Sequence, residues 1–356
     1  MAAYTTIDNP ELYFQVELYT GNGSSGHAQT LDGSEDMQPD IVWIKNRDTT
    51  GYHTLFDSVR GVEKPLWPTA NSTEGSDSNT LTAFGSDGFT VASDAAVNGN
   101  TNKLVAWCWK AGTAFSNDAS ATSVGSIDSS GSINTTAGIS IVNFTGNGTA
   151  GATVAHGLSA VPRLILVKVH TSSTAYDWRL YHGSLGATKN MIFNDNSAVA
   201  TATNKWNDTA PTSSVFSLGD TSGTNESGSG IIAYSFAEKQ GFSKFGIYTG
   251  NNNADGPFVY TGFRPAWTIL KRTDSTDNWI LQDNERKVPF NAVDSQLFPD
   301  LENSESSSST ILDYCSNGFK IRKTGGNINA SGGTYIYLAF AEAPFVNSNK
   351  VPGNAR

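Results

Sequence analysis

Two pairs of oppositely charged residues are the first candidates for chemistry in this sequence. Asp57 and Arg60 stand three positions apart, and Asp283 and Arg286 repeat the same spacing. A carboxylate beside a guanidinium could form half of an acid–base site, but structural ion pairs occupy such positions as well. Because a catalytic site rarely needs duplication, the recurrence favours structural clamps that each hold a loop.

Potential metal ligands are scattered and lack the spacing of known sites. The segment 32–36 is rich enough in oxygen to hold Ca²⁺, but it does not match the helix–loop–helix calcium pattern, and a solvated loop is the preferred interpretation. No histidine pair has the spacing of zinc ligands, so we expect histidines on the surface or in loops. The five histidines are His27, His53, His156, His170 and His182. We predict no catalytic residue, no metal site and no cofactor.

Three aromatic residues lie in segments that read as loops. Tyr52 stands beside a histidine, Trp67 lies between prolines, and Trp206 is flanked by polar residues. Sugar rings stack on such side chains, so these residues are candidates for glycan binding. The preferred alternative is packing against a neighbouring subunit or against the loop's own body, because aromatic residues are enriched in interfaces.

Composition and charge exclude several classes of protein. The formal net charge is −10, and the 23 basic residues are dispersed rather than clustered, which argues against nucleic-acid binding. No segment resembles a signal peptide or a membrane span. Cys108 and Cys315 are far apart and form no CxxC motif, so we expect free, buried thiols. The chain is predicted to enter no membrane.

An internal repeat is the most informative feature of the chain. An aromatic–Thr–Gly–Asn motif occurs at residues 19–22, 144–147 and 248–251. After each motif, a proline opens an apolar run that a lysine closes six positions later. These runs are residues 39–45, 162–168 and 265–271. Three matches in register indicate three copies of one unit.

Each copy has the composition of β-structure. Its apolar runs are short, rich in β-branched and aromatic residues, and bounded by turn residues. Each copy closes with an aromatic-rich strand that is apolar on both faces, which places this strand centrally in a sheet. The closing strands are residues 104–109, 231–236 and 335–340. We predict an all-β protein of three tandem antiparallel β-sandwich repeats, of jelly-roll or lectin-like type.

The repeat pattern sets the expected boundaries. Repeat 1, repeat 2 and repeat 3 denote residues 1–112, 135–241 and 242–346. Residues 113–134 contain almost no large apolar side chains and are expected to form a flexible linker. Repeats 2 and 3 follow without a linker, which predicts a rigid pair. Residues 347–356 are expected to form a loosely ordered tail.

Several segments resemble structural proteins of marine tailed bacteriophages, including those of cyanobacterial hosts. The matching segments are residues 4–8, 13–15, 19–23, 43–47, 55–61, 107–112, 241–246, 262–266 and 339–345. Together they cover nearly the whole chain apart from the linker and the tail. Repeat 2 departs most from the pattern because it lacks the Asp-x-x-Arg pair. The resemblance implies a virion component that is tail- or appendage-associated, with no established catalytic residues.

The expected function is therefore structural. The chain is interpreted as a non-enzymatic virion protein, exposed on a tail, fibre or head appendage and assembled in the host cytoplasm. Its expected partners are other virion proteins and copies of itself. The copies are expected to form a symmetric homo-oligomer, for example a trimer. The alternative hypothesis is host attachment, with the chain acting as an adhesin that binds a glycan of the host surface.

Overall fold

The computed structural model describes residues 4–286, 291–307 and 311–353. The all-β prediction is confirmed: strands dominate, and the helices of the described residues are single turns. None of these helices is long and apolar enough to cross a membrane.

Repeat 1 contains seven strands. A 3₁₀ turn at Pro10–Leu12 begins after Asn9, whose side chain caps the backbone amide of Glu11. The elements that follow are β1 Phe14–Thr20, β2 His27–Gln29, β3 Ile41–Asn46, β4 Thr54–Asp57, β5 Leu81–Gly85, β6 Gly88–Val91, helix α1 Ala95–Asn98 and β7 Lys103–Trp109.

The segment 113–134 corrects an expectation from the sequence. Instead of a flexible linker, it forms β8 Thr113–Asn117, helix α2 Ala119–Thr122 and β9 Ser129–Asn134. Strands β8 and β9 pair with each other, and β9 pairs with the first strand of repeat 2. The small residues that suggested a linker allow close strand contact, because a Cβ at Gly131 would lie 1.8 Å from the carbonyl oxygen of Ile141.

Repeats 2 and 3 contain the remaining strands. Repeat 2 consists of β10 Ile139–Thr145, β11 Ala152–Ala155, β12 Leu164–Thr171, β13 Arg179–His182, β14 Lys189–Ile192, β15 Ala200–Thr201, β16 Val215–Leu218, helix α3 Ser222–Asn225 and β17 Gly230–Phe236. Repeat 3 consists of β18 Ser243–Thr249, β19 Phe258–Tyr260, β20 Phe263–Arg272, β21 Ile280–Asp283, β22 Leu312–Cys315, β23 Gly318–Ile321, helix α4 Gly326–Asn329 and β24 Thr334–Pro344.

The larger sheets share one antiparallel strand order. The orders are β1-β7-β3-β4 in repeat 1, β10-β17-β12-β13 within the eight-stranded sheet of repeat 2, and β18-β24-β20-β21 in repeat 3. The closing strands β7, β17 and β24 are therefore central, as predicted. The smaller sheets are β2-β6-β5, β11-β16 and β19-β23-β22.

The register defines equivalent positions. In each repeat, the residue two positions after the shared proline pairs with a residue of the closing strand. The pairs are Ile41 with Trp109, Leu164 with Phe236 and Trp267 with Phe340. Pro39 and Pro162 precede their strands, whereas Pro265 lies at a bulge in β20, where a missing N–H is tolerated.

The aromatic–Thr–Gly–Asn motif is a structural joint. A Cβ at Gly21 would lie 2.2 Å from the carbonyl oxygen of Gly99, so only glycine permits this approach of the two chains. The buried Asn98 at the end of α1 accepts a hydrogen bond from the backbone N–H of Asn22 at 2.8 Å and donates to the carbonyl of Ala92. Asn225 and Asn329 make the equivalent contacts in repeats 2 and 3. The motif therefore ties the first strand to the turn before the last.

The apolar core has four parts. One cluster lies between the larger and the smaller sheet of each repeat. The fourth cluster contains residues of all three repeats, including Trp43, Trp107, Phe236, Trp267 and Phe340. Each larger sheet is thus buried on both faces, once inside its repeat and once against the other repeats. Repeat 1 is therefore packed against repeats 2 and 3, rather than joined to them by a linker alone.

The histidines also differ from the expectation of surface or loop positions. His53, His156, His170 and His182 are buried, and His27 is half-buried. Burial is tolerated because the rings form hydrogen bonds, such as Trp43 Nε1 donating to His53 Nδ1 at 3.0 Å. Cys108 is buried and Cys315 half-buried, and both are free.

The two ends of the described chain meet. The hydroxyl of Tyr4 donates to the carbonyl oxygen of Gly262 at 2.9 Å, and Thr5 donates to that of Gln240 at 2.7 Å. The backbone N–H of Ser348 in the predicted tail donates to the carboxylate of Asp8 at 2.6 Å. Repeat 1 is therefore connected to repeat 3 as well as to repeat 2.

Candidate functional site: the interfaces between the three repeats

The chemically distinctive side chains of the described residues lie where the repeats meet. Interface 1/2, interface 1/3 and interface 2/3 denote the contacts between the repeats of those numbers. At each interface, the end of the fourth strand of one repeat faces the closing strand of the next. The strand ends are Asp57, Asp283 and His182, which pair with Ile41, Trp267 and Leu164.

Interface 1/2 contains a buried network of charges. Arg60 Nε lies 2.6 Å from Asp57 Oδ2, and their side chains are 2% and 0% exposed. The same carboxylate oxygen accepts the hydroxyl of Tyr234 at 2.6 Å. Arg60 also forms an ion pair with Glu74 at 3.0 Å, and the carboxylate of Glu74 is hydrogen-bonded to His170 Nδ1 at 3.1 Å. The network therefore joins two residues of repeat 2 to three of repeat 1.

The electrostatics of this network favour the charged forms of Glu74 and Arg60. Burial pushes the pKa of Glu74 upward, but the hydrogen bond to His170 and the charge of Arg60 outweigh burial and lower this pKa to about 2. Burial is the largest single influence on Arg60 and lowers its pKa, but Asp57, Tyr234 and Glu74 together outweigh burial and raise the arginine pKa. Burial also raises the pKa of Tyr234, so its hydroxyl stays protonated as a donor to Asp57.

Interface 1/3 repeats the arrangement with different donors. Arg286 Nε lies 2.6 Å from Asp283 Oδ2, and both side chains are fully buried. Trp107 Nε1 of repeat 1 donates to the same oxygen at 2.9 Å. Arg286 and Arg47 both contact the carboxylate of Glu305, at 3.0 Å and 2.9 Å. Burial raises the pKa of Glu305, but the hydrogen bond from Arg47 and both arginine charges lower it overall.

Interface 2/3 places uncharged residues at the same positions. His182 occupies the position that Asp57 has at interface 1/2, and Leu338 occupies the position of Tyr234, the donor to Asp57. Leu185 occupies the position of Arg60, and Val199 that of Glu74. Both pack against the shared core. Burial lowers the pKa of His182 to about 4, so this imidazole is neutral near pH 7.

Main-chain contacts make Val199 the equivalent of Glu74 and Glu305. In each case the loop residue of one repeat donates its N–H to a carbonyl of another repeat, two residues beyond the lysine that closes the apolar run. These bonds are Glu74 to His170 at 3.0 Å, Glu305 to Arg47 at 2.8 Å and Val199 to Thr273 at 2.9 Å. The backbone geometry of the three interfaces is therefore the same, although their side chains differ.

The lysines that close the three apolar runs are interface residues. Lys45, Lys168 and Lys271 are fully buried, and each ammonium donates to a carbonyl of a different repeat. The acceptors are Glu302 at 3.1 Å, Asn71 at 2.7 Å and Asn196 at 3.1 Å, respectively. Burial lowers the lysine pKa values, to about 8 for Lys45 and Lys271 and to about 7 for Lys168. The lysine that closes each apolar run therefore fastens one repeat to the next.

A small apolar cavity of about 50 Å³ lies inside the shared core. It is lined by side chains from all three repeats, among them Trp43, Leu166 and Ile269, which pair with equivalent residues of the closing strands. Such apolar voids are characteristic of a packed centre rather than of a polar active site.

The aromatic residues singled out in the sequence have different environments. Tyr52 is 44% exposed and packs against the half-buried Trp67, with ring centroids 6.2 Å apart. The carbonyl of Trp67 accepts the indole N–H of Trp178 at 2.9 Å, so Trp67 also belongs to interface 1/2. Trp206 is 1% exposed and packs edge-on against Tyr181, which leaves it no surface for a glycan. Tyr52 alone of the three is well exposed.

The predicted clamps exist as ion pairs, and they extend further than the sequence indicated. Asp57 and Asp283 each also accept the backbone N–H three residues on, at 2.9 Å and 3.0 Å, which closes the loop. Their contacts with Tyr234 and Trp107 had no sequence signal, because those partners lie 177 and 176 residues away. Among the described residues, no group of three His, Cys, Asp or Glu converges to hold a metal ion.

The chain belongs to the family described as DUF7483, a domain of unknown function, whose model matches residues 9–344. The match extends across all three repeats and the segment between repeats 1 and 2. No curated protein and no solved structure matches the chain.

Proposed function

We propose that this chain is a non-enzymatic structural protein of a tailed-bacteriophage particle, built from three tandem β-sandwich repeats that form a single rigid body. The observation that carries the proposal is the aromatic core shared by all three repeats. Side chains that large bury extensive apolar area, and fixing them leaves the three repeats little freedom to move separately.

The sandwich interpretation is supported by the layers within each repeat. A larger and a smaller antiparallel sheet enclose a separate apolar cluster in each case. The smaller sheet of repeat 2 has two strands, whereas its counterparts have three. A family match that extends from residue 9 to residue 344 supports the three repeats together as the unit of the fold.

A mechanical role follows from how the repeats are fastened. Each repeat contacts both others, and the buried lysines link the repeats in a cyclic order. One repeat therefore cannot separate without exposing the shared core and breaking contacts at two interfaces. We assign the protein to a tail, fibre or head appendage because its motifs resemble structural proteins of marine phages.

Mass spectrometry of gradient-purified phage particles tests the proposal. We expect peptides from all three repeats at a fixed ratio to the major capsid protein, and particles lacking the gene product should show a defective appendage. Its absence from purified particles, together with its presence in the lysate, would rule out the structural role.

A glycan-binding adhesin is the second candidate function, favoured by the outer face of β19. Phe258 and Tyr260 point outward there, 46% and 53% exposed. The equivalent positions in repeats 1 and 2 carry small side chains. They are identified by aligning the three strands on Phe89, Phe216 and Phe319, the inward-facing phenylalanines of the strands with which they pair. The positions are Ala28 and Thr30 in repeat 1, and Thr153 and Ala155 in repeat 2. Because the fold does not require aromatic residues there, this pair is available to stack on sugar rings.

A glycan array tests this second candidate with a matched substitution. The double variant Phe258→Ala/Tyr260→Thr copies repeat 1 and should keep the fold while losing all glycan signal. A Tyr52→Thr variant serves as the control for an exposed aromatic elsewhere. Equal signal from the wild-type protein and the double variant would contradict the assignment.

A further inference from the structure

The first strands of the three larger sheets differ in what lies beside them. In repeat 2, β10 is covered by β9, and β8 continues the sheet beyond it. In repeats 1 and 3, the equivalent strands β1 and β18 are edge strands, with no further strand beside them in the described part of the chain. An open edge presents unpaired N–H and C=O groups to any strand that can lie against it.

The side chain at one position of this strand changes with the cover. Aligned on the aromatic–Thr–Gly–Asn motif, the position is Asn143 in β10, Leu18 in β1 and Ile247 in β18. Asn143 lies opposite Ser130 of β9 and is hydrogen-bonded to His170. Leu18 is 37% exposed, and Ile247 is 59% exposed, more than any other large apolar side chain of the described residues. The polar residue is therefore the covered one, and the apolar residues stand at the open edges, which is the reverse of how edge strands are normally protected.

The free backbone groups of β18 are arranged symmetrically about Ile247. The N–H of Phe245 donates to the carboxylate of Glu238 at 2.9 Å, so Phe245 directs its N–H and C=O away from β24. Because these directions alternate along a strand, Ile247 and Thr249 also direct theirs to the open edge. Within the described residues, no hydrogen bond occupies the N–H of Ile247 or Thr249, or the C=O of Phe245 or Ile247.

We propose that β18 forms the interface of a two-fold symmetric dimer, in which it pairs with β18 of a second copy of this chain in an antiparallel register centred on Ile247. The two Ile247 residues then exchange both of their hydrogen bonds, and each Thr249 N–H donates to the Phe245 carbonyl of the other copy. These contacts use all of the free groups. The N–H of Phe245 keeps its bond to Glu238, which ends the pairing at that residue.

The remaining side chains of β18 are compatible with self-pairing. Lys244 is the single charged residue of the strand, and it forms an ion pair with Glu238 at 3.5 Å. With Ile247 at the centre, the two copies of Lys244 lie at opposite ends of the paired segment, so like charges do not face each other. The contact area is small, which predicts a weak dimer. The assignment does not depend on the phage hypothesis.

Sedimentation velocity of the full chain over a range of concentrations tests the proposal. We expect a reversible monomer–dimer equilibrium. Ile247→Asn copies repeat 2 and should weaken the dimer at least about tenfold, because the central apolar contact is lost. Leu18→Asn, the matched change at the edge of β1, should leave the dissociation constant unchanged. A wild-type protein that stays monomeric at millimolar concentration, a trimer, or a dimer that Ile247→Asn leaves intact would overturn the proposal.

Cysteine cross-linking measures the register of the pairing. In a Cys315→Ser background, which removes a half-buried thiol, Ile247→Cys should form an intermolecular disulfide on mild oxidation. The reason is that the Cα atoms of a hydrogen-bonded antiparallel pair lie about 5.5 Å apart, within the range of a disulfide. Thr249→Cys should not cross-link, because in this register it faces Phe245 of the other copy. Equal yields from these two variants, a comparable yield from Leu18→Cys, or no product from Ile247→Cys would also overturn the proposal.

Discussion

Interfaces 1/3 and 2/3 share the same backbone contacts but differ in their side chains, which are charged at interface 1/3 and uncharged at interface 2/3. Interface 1/3 buries Asp283 against Arg286 and adds an indole donor from Trp107. Interface 2/3 places His182, Leu185 and Leu338 at the same positions, and the leucines join the shared core. The main-chain bonds between repeats are the same in both, so side-chain chemistry varies on a constant backbone.

This difference teaches that the fold can join two repeats without buried charges. Removing two ions from water costs free energy that their attraction only partly offsets, so an apolar set of similar volume is often as stable. We expect the charged networks to provide specificity instead. Three similar repeats could pair in the wrong order, and a carboxylate that meets leucine rather than Tyr234 or Trp107 would remain buried without its donor.

The largest expected effect comes from removing one partner of a buried ion pair. Arg286→Met should lower the free energy of unfolding by about 3–5 kcal/mol, because Asp283 would keep its buried charge without a cationic partner and Glu305 would keep only Arg47. The matched change at interface 2/3, Leu185→Met, should cost less than about 1.5 kcal/mol. Urea denaturation of both variants measures the difference.

The two variants would contradict the comparison if they were equally destabilised. Such a result would mean that side-chain volume, rather than charge, dominates at this position. Recovery of most of the lost stability in the double variant Arg286→Met/Asp283→Asn would support the charge-based explanation, because the carboxylate left without a cationic partner is then removed.

Much of the fold was accessible from the sequence, because local signals determine it. The aromatic–Thr–Gly–Asn motif and the Pro-to-Lys run identify the first and third strands of each repeat, and their recurrence gives equivalent positions in all three. The i, i+3 spacing of Asp57 and Arg60 was enough to predict a clamp, since both residues close the same loop.

The contacts between the repeats were not accessible, because they join residues with no local relationship. A run such as Ile41–Asn46 is buried on both faces, and the alternation of residues does not say what covers the second face. The linker prediction for 113–134 failed for a related reason. Small, polar residues are typical of flexible segments, but they also suit an edge strand that lies close against β10.

Acid should weaken the charged interfaces selectively. Glu74 has a pKa of about 2 in the folded protein against an ordinary value of 4.5, so its contribution is present above pH 4.5 and is lost as the pH falls towards 2. After allowance for solvent screening, the loss should be about 1–3 kcal/mol. Denaturation at pH 5 and at pH 2.5 measures it.

A Glu74→Gln variant provides the control for the acid prediction. It should be less stable than the wild-type protein at pH 6 and should lose less stability between pH 5 and pH 2.5. Parallel pH profiles for the two proteins would show that Glu74 is not responsible for the acid sensitivity.

The smallest effect is expected from exchanging a complete network. The variant Asp283→His/Arg286→Leu/Glu305→Val/Arg47→Thr gives these four positions of interface 1/3 the residues of interface 2/3 and keeps the buried Trp107. Because every buried charge is removed together with its partner and no cavity is made at Trp107, the free energy of unfolding should change by about 1 kcal/mol or less. With two apolar interfaces the repeats can pair in the wrong order, so refolding should give a larger fraction of misassembled or domain-swapped oligomers. Size-exclusion chromatography after refolding measures that fraction, and a purely monomeric product would show that the charged networks do not specify the pairing.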